Sequence, residues 1–456
     1  MAPTVHSFFA GFEPLDLIDQ FPERYPGLLE SGAAASSGAG ARYDILPIVT
    51  GEHLRLDADG VTGPHAGQSG FLNALESWWQ TLRPSASAGA ARGAALPFPF
   101  TGGWLLYLGY ELASEIEPCL DLPRSSDPIV ALALRAPAAW MRDRQSGEAW
   151  LHAEAGYEGL LDEFKRRVAT LRHSAPVADA VFQIEEDDPE RFLAAVRRAL
   201  EYTAAGDVYQ TNLSRQWRAQ APHPVSPVAI YKRLRDANPS PFAALLRHGD
   251  FAWLSSSPER LVKVQGDRAS TRPIAGTRPR GASAAEDERL VRSLLDNEKE
   301  RAEHVMLIDL ERNDLGRVCA GGSVEVDEYM SVESYAHVHH IVSNVSGRLR
   351  SGASPIDVIK ALFPGGTITG CPKIRTMQVI AELEGCARGA YTGSIGYLNR
   401  DGSCDLNILI RTLTARGNAV SFRAGAGIVA DSIPEQELAE TRAKAEGLLR
   451  ALAVRR

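Results

Sequence analysis

The stretch NEKERAEHVMLIDLERND places Glu300, Glu303 and His304 three and four residues apart. At that spacing a helix carries all three on one face. Val305, Met306, Leu307, Ile308 and Leu310 follow, so beyond these three the predicted helix is apolar nearly all round. A carboxylate in apolar surroundings is costly unless it is paired or bound to a metal. Glu437, Glu440 and Lys444 repeat the theme on a second predicted helix, behind a capping box of Ser432 and Glu435. Each face alone reads more simply as a solvated, salt-bridged surface. As a pair, the two faces offer four carboxylates, an oxygen-only set suited to a hard divalent cation such as Mg2+.

Arg411 lies in LNILIRTLTA, a predicted apolar strand. A guanidinium is seldom buried without an anion, so either a ligand carboxylate or an internal salt bridge is expected there. His340, in YAHVHHIVSNVSG, reads equally as a satisfied structural histidine or as a catalyst. Lys373 follows Pro372 and reads as decoration of a helix start. Two glycine motifs fail as nucleotide sites. GGTITGCPK has Gly365 and Gly370 at P-loop spacing, but Cys371 stands where the phosphate-binding lysine must be. GAGIVA, at 425–430, fits a dinucleotide fingerprint, but too little chain follows for a βαβ unit with its ribose-binding acid. Both can still offer backbone N–H groups to an anion.

These groups need elements to carry them. In DDPERFLAAVRRALEYTAAGD, Asp188 caps a predicted helix and Pro189 opens it. Phe192, Val196 and Leu200 recur every four residues until Gly206 ends it. VYQTNLSRQW alternates, with Gln210, Asn212 and Ser214 on one face and Tyr209, Thr211 and Leu213 on the other. Strands are expected at 251–256 and 260–272, a long helix at about 284–311 and a final helix at about 434–453. No period repeats, and the order of elements predicts an α+β fold with long antiparallel strands. Ala/Gly/Ser-rich stretches at 31–41 and 85–95 read as surface loops. A soft spot at 172–180 separates an N-terminal region, 1–175, from a second region, 185–453.

A chain of 456 residues has room for two or three folding units. Its net charge of -8 disfavours nucleic acid or an anionic membrane as partner, though not a small anion in a locally basic pocket. No apolar run approaches the roughly 20 residues of a membrane helix. MAPTVHSFFAGFEPLDLIDQ lacks the basic and apolar regions of a secretory signal. The five cysteines, Cys119, Cys319, Cys371, Cys386 and Cys404, are scattered. Neither a disulfide framework nor a zinc site is expected, and a reducing cytoplasm is the default compartment.

Taken together, GDVYQTNLSR, SSSPERL, RPIAGTRPRG, KERAEHVMLIDLERNDLGRV, HIVSNVSG, FPGGTITGCPKIRTM, YTGSIGYL, IRTLTA and AGAGIVADSIPEQELAETRAKAE resemble the chorismate-utilising enzymes. That family includes anthranilate synthase component I, aminodeoxychorismate synthase component I, isochorismate synthase and salicylate synthase. The blocks run in order over about 206–446, and RYPGLLESG, RYDILP and FTGGWLLYLGYELA extend the likeness to nearly the whole chain. The resemblance implies two large β-sheets packed as a sandwich with flanking helices. The regions 1–175 and 185–453 would intertwine in one compact body, with the active site in a cleft.

The resemblance also implies roles. Glu300, Glu303, Glu437 and Glu440 fall on the family's Mg2+ region, where the ion would neutralise the ring carboxylate of chorismate. Tyr391, Arg411 and Lys444, with the backbone at Gly425 and Gly427, would grip the substrate's carboxylates. Thr367 and His340 would line the ring, with Thr277 in the catalytic group. Glu259 would protonate the departing C4 hydroxyl, a task suited to a carboxyl whose pKa burial raises.

Water-using members carry a lysine base where this chain has Gln210, and an amide cannot deprotonate water, so ammonia is the expected nucleophile. At 275 many aminodeoxychorismate synthases have a nucleophilic lysine, whereas anthranilate synthases have alanine, as here. NPSPFAALL, YTGSIGYL and GYELASEIEP look like the aminodeoxychorismate branch. The implied activity is therefore conversion of chorismate and ammonia to 4-amino-4-deoxychorismate for p-aminobenzoate and folate. The ammonia would come from a glutamine amidotransferase subunit in a heterodimer. Anthranilate synthesis is the alternative, and a non-catalytic regulatory subunit binding tryptophan or chorismate is an alternative of another class. Leu29, Glu30, Ser31, Pro241 and Phe242 resemble the family's tryptophan pocket, but its Tyr-Met pair is missing, so a structural or weak site is expected.

Overall fold

The computed structural model describes residues 4–8, 11–32, 42–84, 98–125, 127–172, 181–335 and 338–453. The loops expected at 31–41 and 85–95, and the soft spot at 172–180, lie almost wholly outside these residues.

Two large antiparallel sheets organise the molecule. The first runs from Thr4–Ser7 through Ala149–Ala153, Ala138–Asp143, Tyr43–Ile48 and Gly27–Glu30 to Phe242–His248. It continues through Phe251–Ser257, Thr412–Arg416 and Ala419–Ile428 to Gln210–Gln220 and Gln183–Glu186. The second begins at Ile274–Pro279, Val338–Arg348, Arg268–Thr271 and Arg260–Gln265. It continues through Cys404–Asn407, Ser394–Asn399, Gly103–Leu108 and Ala131–Ala136 to His53–Asp57 and Gly60–Thr62. Each sheet thus joins a block of N-terminal strands to a block of C-terminal strands at one seam, Gly27–Glu30 against Phe242–His248 in the first sheet. In the second, Gly103–Leu108 pairs with Ser394–Asn399.

The facing sides bury one core. Leu105, Tyr107 and Leu134 of the second sheet pack with Ile45, Leu246 and Trp253 of the first. Tyr107 and Trp253 stack with ring centroids 3.9 Å apart, a contact worth about 0.5–1.5 kcal/mol beyond its buried area. The outer face of the first sheet packs on helices Pro14–Gln20, Gly159–Ala169, Pro227–Ala237 and Pro434–Leu452. That of the second packs on Phe71–Leu82, Glu298–Gly316 and Pro355–Leu362. Strands such as Gly103–Leu108 and Ala131–Ala136, covered on both faces, are apolar or small except for Arg135, which is buried in an ion pair with Glu154. This is the expected α+β sandwich with flanking helices.

Several expected elements change. The strand at 260–272 is a hairpin, Arg260–Gln265 and Arg268–Thr271, reversing at Gly266 with φ +64. The helix at 284–311 is two helices, Ala284–Leu295 and Glu298–Gly316. Asn297 makes the break, because its side chain accepts from Glu300 N at 3.0 Å and so caps a new helix. The last helix is Pro434–Leu452, but Ser432 does not cap it. Ile433 holds the cap position, and the Ser432 hydroxyl accepts from Val429 N instead. The helix after Asp188 forms as expected, as Pro189–Ala204, with the Asp188 carboxylate accepting from Glu190 N.

LNILIRTLTA is not one strand. Cys404–Asn407 lies in the second sheet and Thr412–Arg416 in the first, so 408–411 crosses between them. A second crossing, at Pro258–Glu259, joins Phe251–Ser257 to Arg260–Gln265. The two crossings lie side by side, because Ile408 N donates to Glu259 O at 3.0 Å.

Candidate active site

Beside these crossings lies a cavity of about 750 Å³. Strand Gln210–Gln220 contributes Gln210 and Asn212, and its neighbour Ala419–Ile428 contributes Arg423, Gly425 and Gly427. Glu259 and Arg411 enter from the crossings, and Ala275 and Thr277 from Ile274–Pro279. Helix Glu298–Gly316 supplies Glu300 and Glu303, and helix Pro434–Leu452 supplies Glu437, Glu440 and Lys444. Thr367 and Tyr391 close the wall. Residues up to 234 positions apart in the chain thus face one space, which the ordered sequence blocks alone do not show.

Glu259 is 6% exposed. Burial pushes its carboxyl up to about 7, against the Thr367 hydrogen bond and the charges of Lys444 and Arg411. Thr367 Oγ1 donates to Glu259 Oε1 at 2.7 Å. A carboxyl that keeps its proton near neutrality can deliver it to a leaving oxygen.

Arg411 adopts φ +52, a left-handed conformation costly for a side chain of this size. Burial lowers its pKa, and the Glu259 charge opposes that shift. It sits in the crossing rather than inside a strand, so its guanidinium faces the cavity instead of a sheet neighbour. Such a pre-desolvated cation suits a ligand carboxylate.

The glycines of GAGIVA make room for other side chains. A Cβ on Gly425 would lie 2.6 Å from the Tyr391 hydroxyl and 2.9 Å from Asn212 Oδ1. One on Gly427 would lie 2.8 Å from Gln210 Nε2. Lys444 Nζ donates to Gly425 O at 3.1 Å and pairs with Glu440 at 2.6 Å.

All four glutamates line the cavity, but among the described residues no three His, Cys, Asp or Glu side chains cluster closely enough to hold an ion. Glu300 Oε1 accepts from Arg278 Nη1 at 2.6 Å, while its Oε2 is buried with no hydrogen-bond partner. An orphaned carboxylate oxygen within an oxygen-only set fits a hard cation.

Three sequence expectations are corrected. His340 does not line the cavity. It stands behind Thr277, with Nδ1 3.0 Å from Thr277 Oγ1. Burial, reinforced by Arg411, holds it down to about 4, so the ring is neutral. His304 shares the helix with Glu300 and Glu303 but turns toward the second sheet, its Nε2 2.7 Å from Ser343 Oγ. Lys373 is no decoration. It is 11% exposed and ion-paired with Asp314, and it supplies charge to a helix face that also buries Glu311.

Arg423 escaped the sequence reading. It is 5% exposed and sits on the cavity wall. Its Nε donates to Ser214 Oγ at 2.9 Å and its Nη2 to Glu384 Oε2 at 3.0 Å. The signal was available, since FRAGAGIV puts an arginine in an apolar strand.

A second cavity of about 280 Å³ gathers Leu29, Glu30, Ser31, Pro241 and Phe242. Glu30 already accepts from Arg144 Nη2 and Arg235 Nη1, each at 3.2 Å. Arg260 lines this cavity while its neighbour Glu259 lines the first.

The chain matches the chorismate binding enzyme family over residues 37–450. It is 51% identical over 457 residues to anthranilate synthase component 1 of Thermus thermophilus, covering 96% of this chain and 94% of that one. It is 40% identical over 462 residues to aminodeoxychorismate synthase component 1 of Bacillus subtilis, covering 95% of each. Among solved structures, anthranilate synthase component I from Streptococcus pneumoniae superposes with a TM-score of 0.78 at 32% identity, covering 90% of this chain and 93% of that one. The menaquinone-specific isochorismate synthase from Escherichia coli shares the fold at a TM-score of 0.73 and 20% identity, covering 99% of this chain and 94% of that one.

Proposed function

The chain belongs to the chorismate binding enzyme family, and from that premise we propose that it aminates chorismate with ammonia to give 4-amino-4-deoxychorismate. The observation that carries amination is the pairing of Gln210 with Ala275 on the cavity wall. Neither an amide nor a methyl group can activate water or attack the ring. Lys444, the lysine on that wall, is engaged by Glu440 and Gly425 O. Ammonia needs no activating base, because its neutral form is itself a nucleophile.

In this reading Arg411, Tyr391, Lys444 and the backbone at Gly425 and Gly427 orient the substrate's carboxylates. Glu259, protonated and held by Thr367, gives its proton to the departing C4 hydroxyl. Thr277 and the neutral His340 behind it shape the ring pocket. Glu300, Glu303, Glu437 and Glu440 would hold Mg2+, which when bound supplies positive charge to the ring carboxylate. The reading takes 1–175 and 185–453 as regions interleaved in one catalytic body. It takes the second cavity, at Glu30 and Phe242, as a weak tryptophan site.

The choice of product rests on NPSPFAALL, YTGSIGYL and GYELASEIEP, and on the Bacillus subtilis relative aligned over 95% of each chain. The product would serve p-aminobenzoate and folate synthesis in the cytoplasm. Ammonia would come from a glutamine amidotransferase subunit, in keeping with the "component 1" of the relatives' names. Among the described residues no helix is long and apolar enough to cross a membrane.

A second reading, anthranilate synthesis, is favoured by the Ala275 methyl at the cavity and by the Thermus thermophilus relative. The test incubates the chain with chorismate, Mg2+ and ammonium and identifies the product. The first reading expects 4-amino-4-deoxychorismate, which an added lyase converts to p-aminobenzoate. Fluorescent anthranilate formed without a lyase would establish the second.

A further inference from the structure

Arg388 is absent from the wall of the large cavity, yet its guanidinium reaches three pieces of that wall. It is 4% exposed. Nη2 donates to Asn212 O at 2.6 Å, and Nη1 donates to Ile368 O at 3.3 Å and to Thr392 Oγ1 at 3.4 Å. Its Cζ lies 5.4 Å from the centroid of the Tyr391 ring and 5.0 Å from that of Tyr110. Glu384 balances its charge, accepting from Nε at 3.1 Å and from Nη2 at 2.6 Å.

Each partner sits directly beside a functional group. The Asn212 side chain faces the cavity, Ile368 follows the Thr367 that bonds Glu259, and Thr392 follows Tyr391. Thr392 is a β-branched residue at φ +64. Such a conformation persists only where its surroundings over-determine it. The N-terminal region braces the same place, with Glu111 Oε1 accepting from Arg388 N at 2.7 Å.

A residue that only balanced Glu384 would need one ion pair. Arg388 directs further donors at carbonyl and hydroxyl acceptors in three different segments, which a rigid planar fork can do and a single ammonium cannot. We propose that Arg388 is a positioning residue for the reaction: it holds Asn212, the Thr367 turn and the Tyr391 segment in one frame, so that the substrate grip and the partner of the general acid stay aligned. The inference rests on the reading of the large cavity as the chorismate site.

The test compares Arg388→Lys and Thr392→Val with the unmodified chain in chorismate turnover. Arg388→Lys keeps a charge opposite Glu384 but loses the fork. Its KM for chorismate should rise about tenfold and its kcat fall by a similar factor, with the circular dichroism spectrum unchanged. Thr392→Val is isosteric and removes the acceptor of Arg388 Nη1, together with the hydroxyl's donation to Tyr391 O. Its KM should rise roughly two- to fivefold, and it decides the matter if Arg388→Lys does not fold. A merely structural role would reduce the active fraction and leave KM alone, and an unchanged KM in the folded variants would overturn the proposal. Failure of the unmodified chain to consume chorismate would instead overturn the reading of the cavity, and this proposal with it.

Discussion

Glu259 and Arg411 stand on the two segments by which the chain crosses from one sheet to the other, and these segments are hydrogen-bonded together. Ile408 N donates to Glu259 O and Ser256 N donates to Arg411 O, both at 3.0 Å. The proton donor and the carboxylate-binding cation are therefore fixed relative to each other by backbone rather than by flexible side chains. Burial raises the pKa of the acid and lowers that of the arginine, so each is desolvated before a ligand arrives. Preorganisation of this kind spares the reaction the cost of assembling the groups.

Glu259→Gln should fold and should lower kcat by about 10²–10⁴-fold, the usual contribution of a general acid. In the unmodified chain kcat should fall as pH rises through about 7, where this carboxyl loses its proton. The stability effect has a defined sign. The folded-state pKa lies above the unfolded value, so the native state binds the extra proton and this group costs stability as pH rises between the two. Glu259→Gln should thus melt higher than the unmodified chain above pH 7 and converge with it in acid. Thermal melts across pH, read beside a pH–rate profile, check both statements.

Thr367→Val removes the hydrogen bond at Glu259 Oε1, a contact that lowers the carboxyl's pKa. The alkaline limb of the kcat profile should therefore move to higher pH, even as overall activity drops. A limb that stays in place would mean that Thr367 does not contact the acid during turnover.

Glu300→Gln and Glu437→Gln should each abolish turnover with little loss of fold. Glu300 is paired with Arg278 at a part-exposed site, where losing the ion pair costs within about 1 kcal/mol. Titrating Mg2+ against rate checks the assignment. Two variants with unchanged rate and unchanged Mg2+ dependence would contradict it.

Ala275→Lys should place an amine on the cavity wall, where a methyl now offers no nucleophile. With ammonia withheld, intact-protein mass spectrometry should find a chorismate-derived adduct on the variant and unmodified mass on the natural chain. The amine attacks only if the pocket leaves part of it neutral, so adduct yield should rise with pH. An adduct on the natural chain would shift suspicion to Lys444, the lysine on the cavity wall.

What the sequence determined by itself was local. Asp188 and Pro189 start a helix because a cap and a first-turn proline act within a few bonds of themselves. Alternation carried Gln210 and Asn212 to the cavity side of their strand because successive strand residues point oppositely. The chemical types of Glu259, Arg411, Ala275 and the four glutamates were likewise plain in the sequence. Tertiary structure alone decided the rest. Nothing within a few residues of Glu259 or Arg411 shows that the chain changes sheets there, since the partner of each crossing lies about 150 positions away. His340 and Thr277 meet across a strand pair 63 residues apart in sequence, which sets the histidine behind the threonine. Lys373 looked like surface until Asp314 was folded against it. Arg388 carried no motif of its own, because its role lies in acceptors at Asn212, Ile368 and Thr392. Local sterics and capping act over a few bonds, whereas burial and long-range pairing arise only when distant segments share a core.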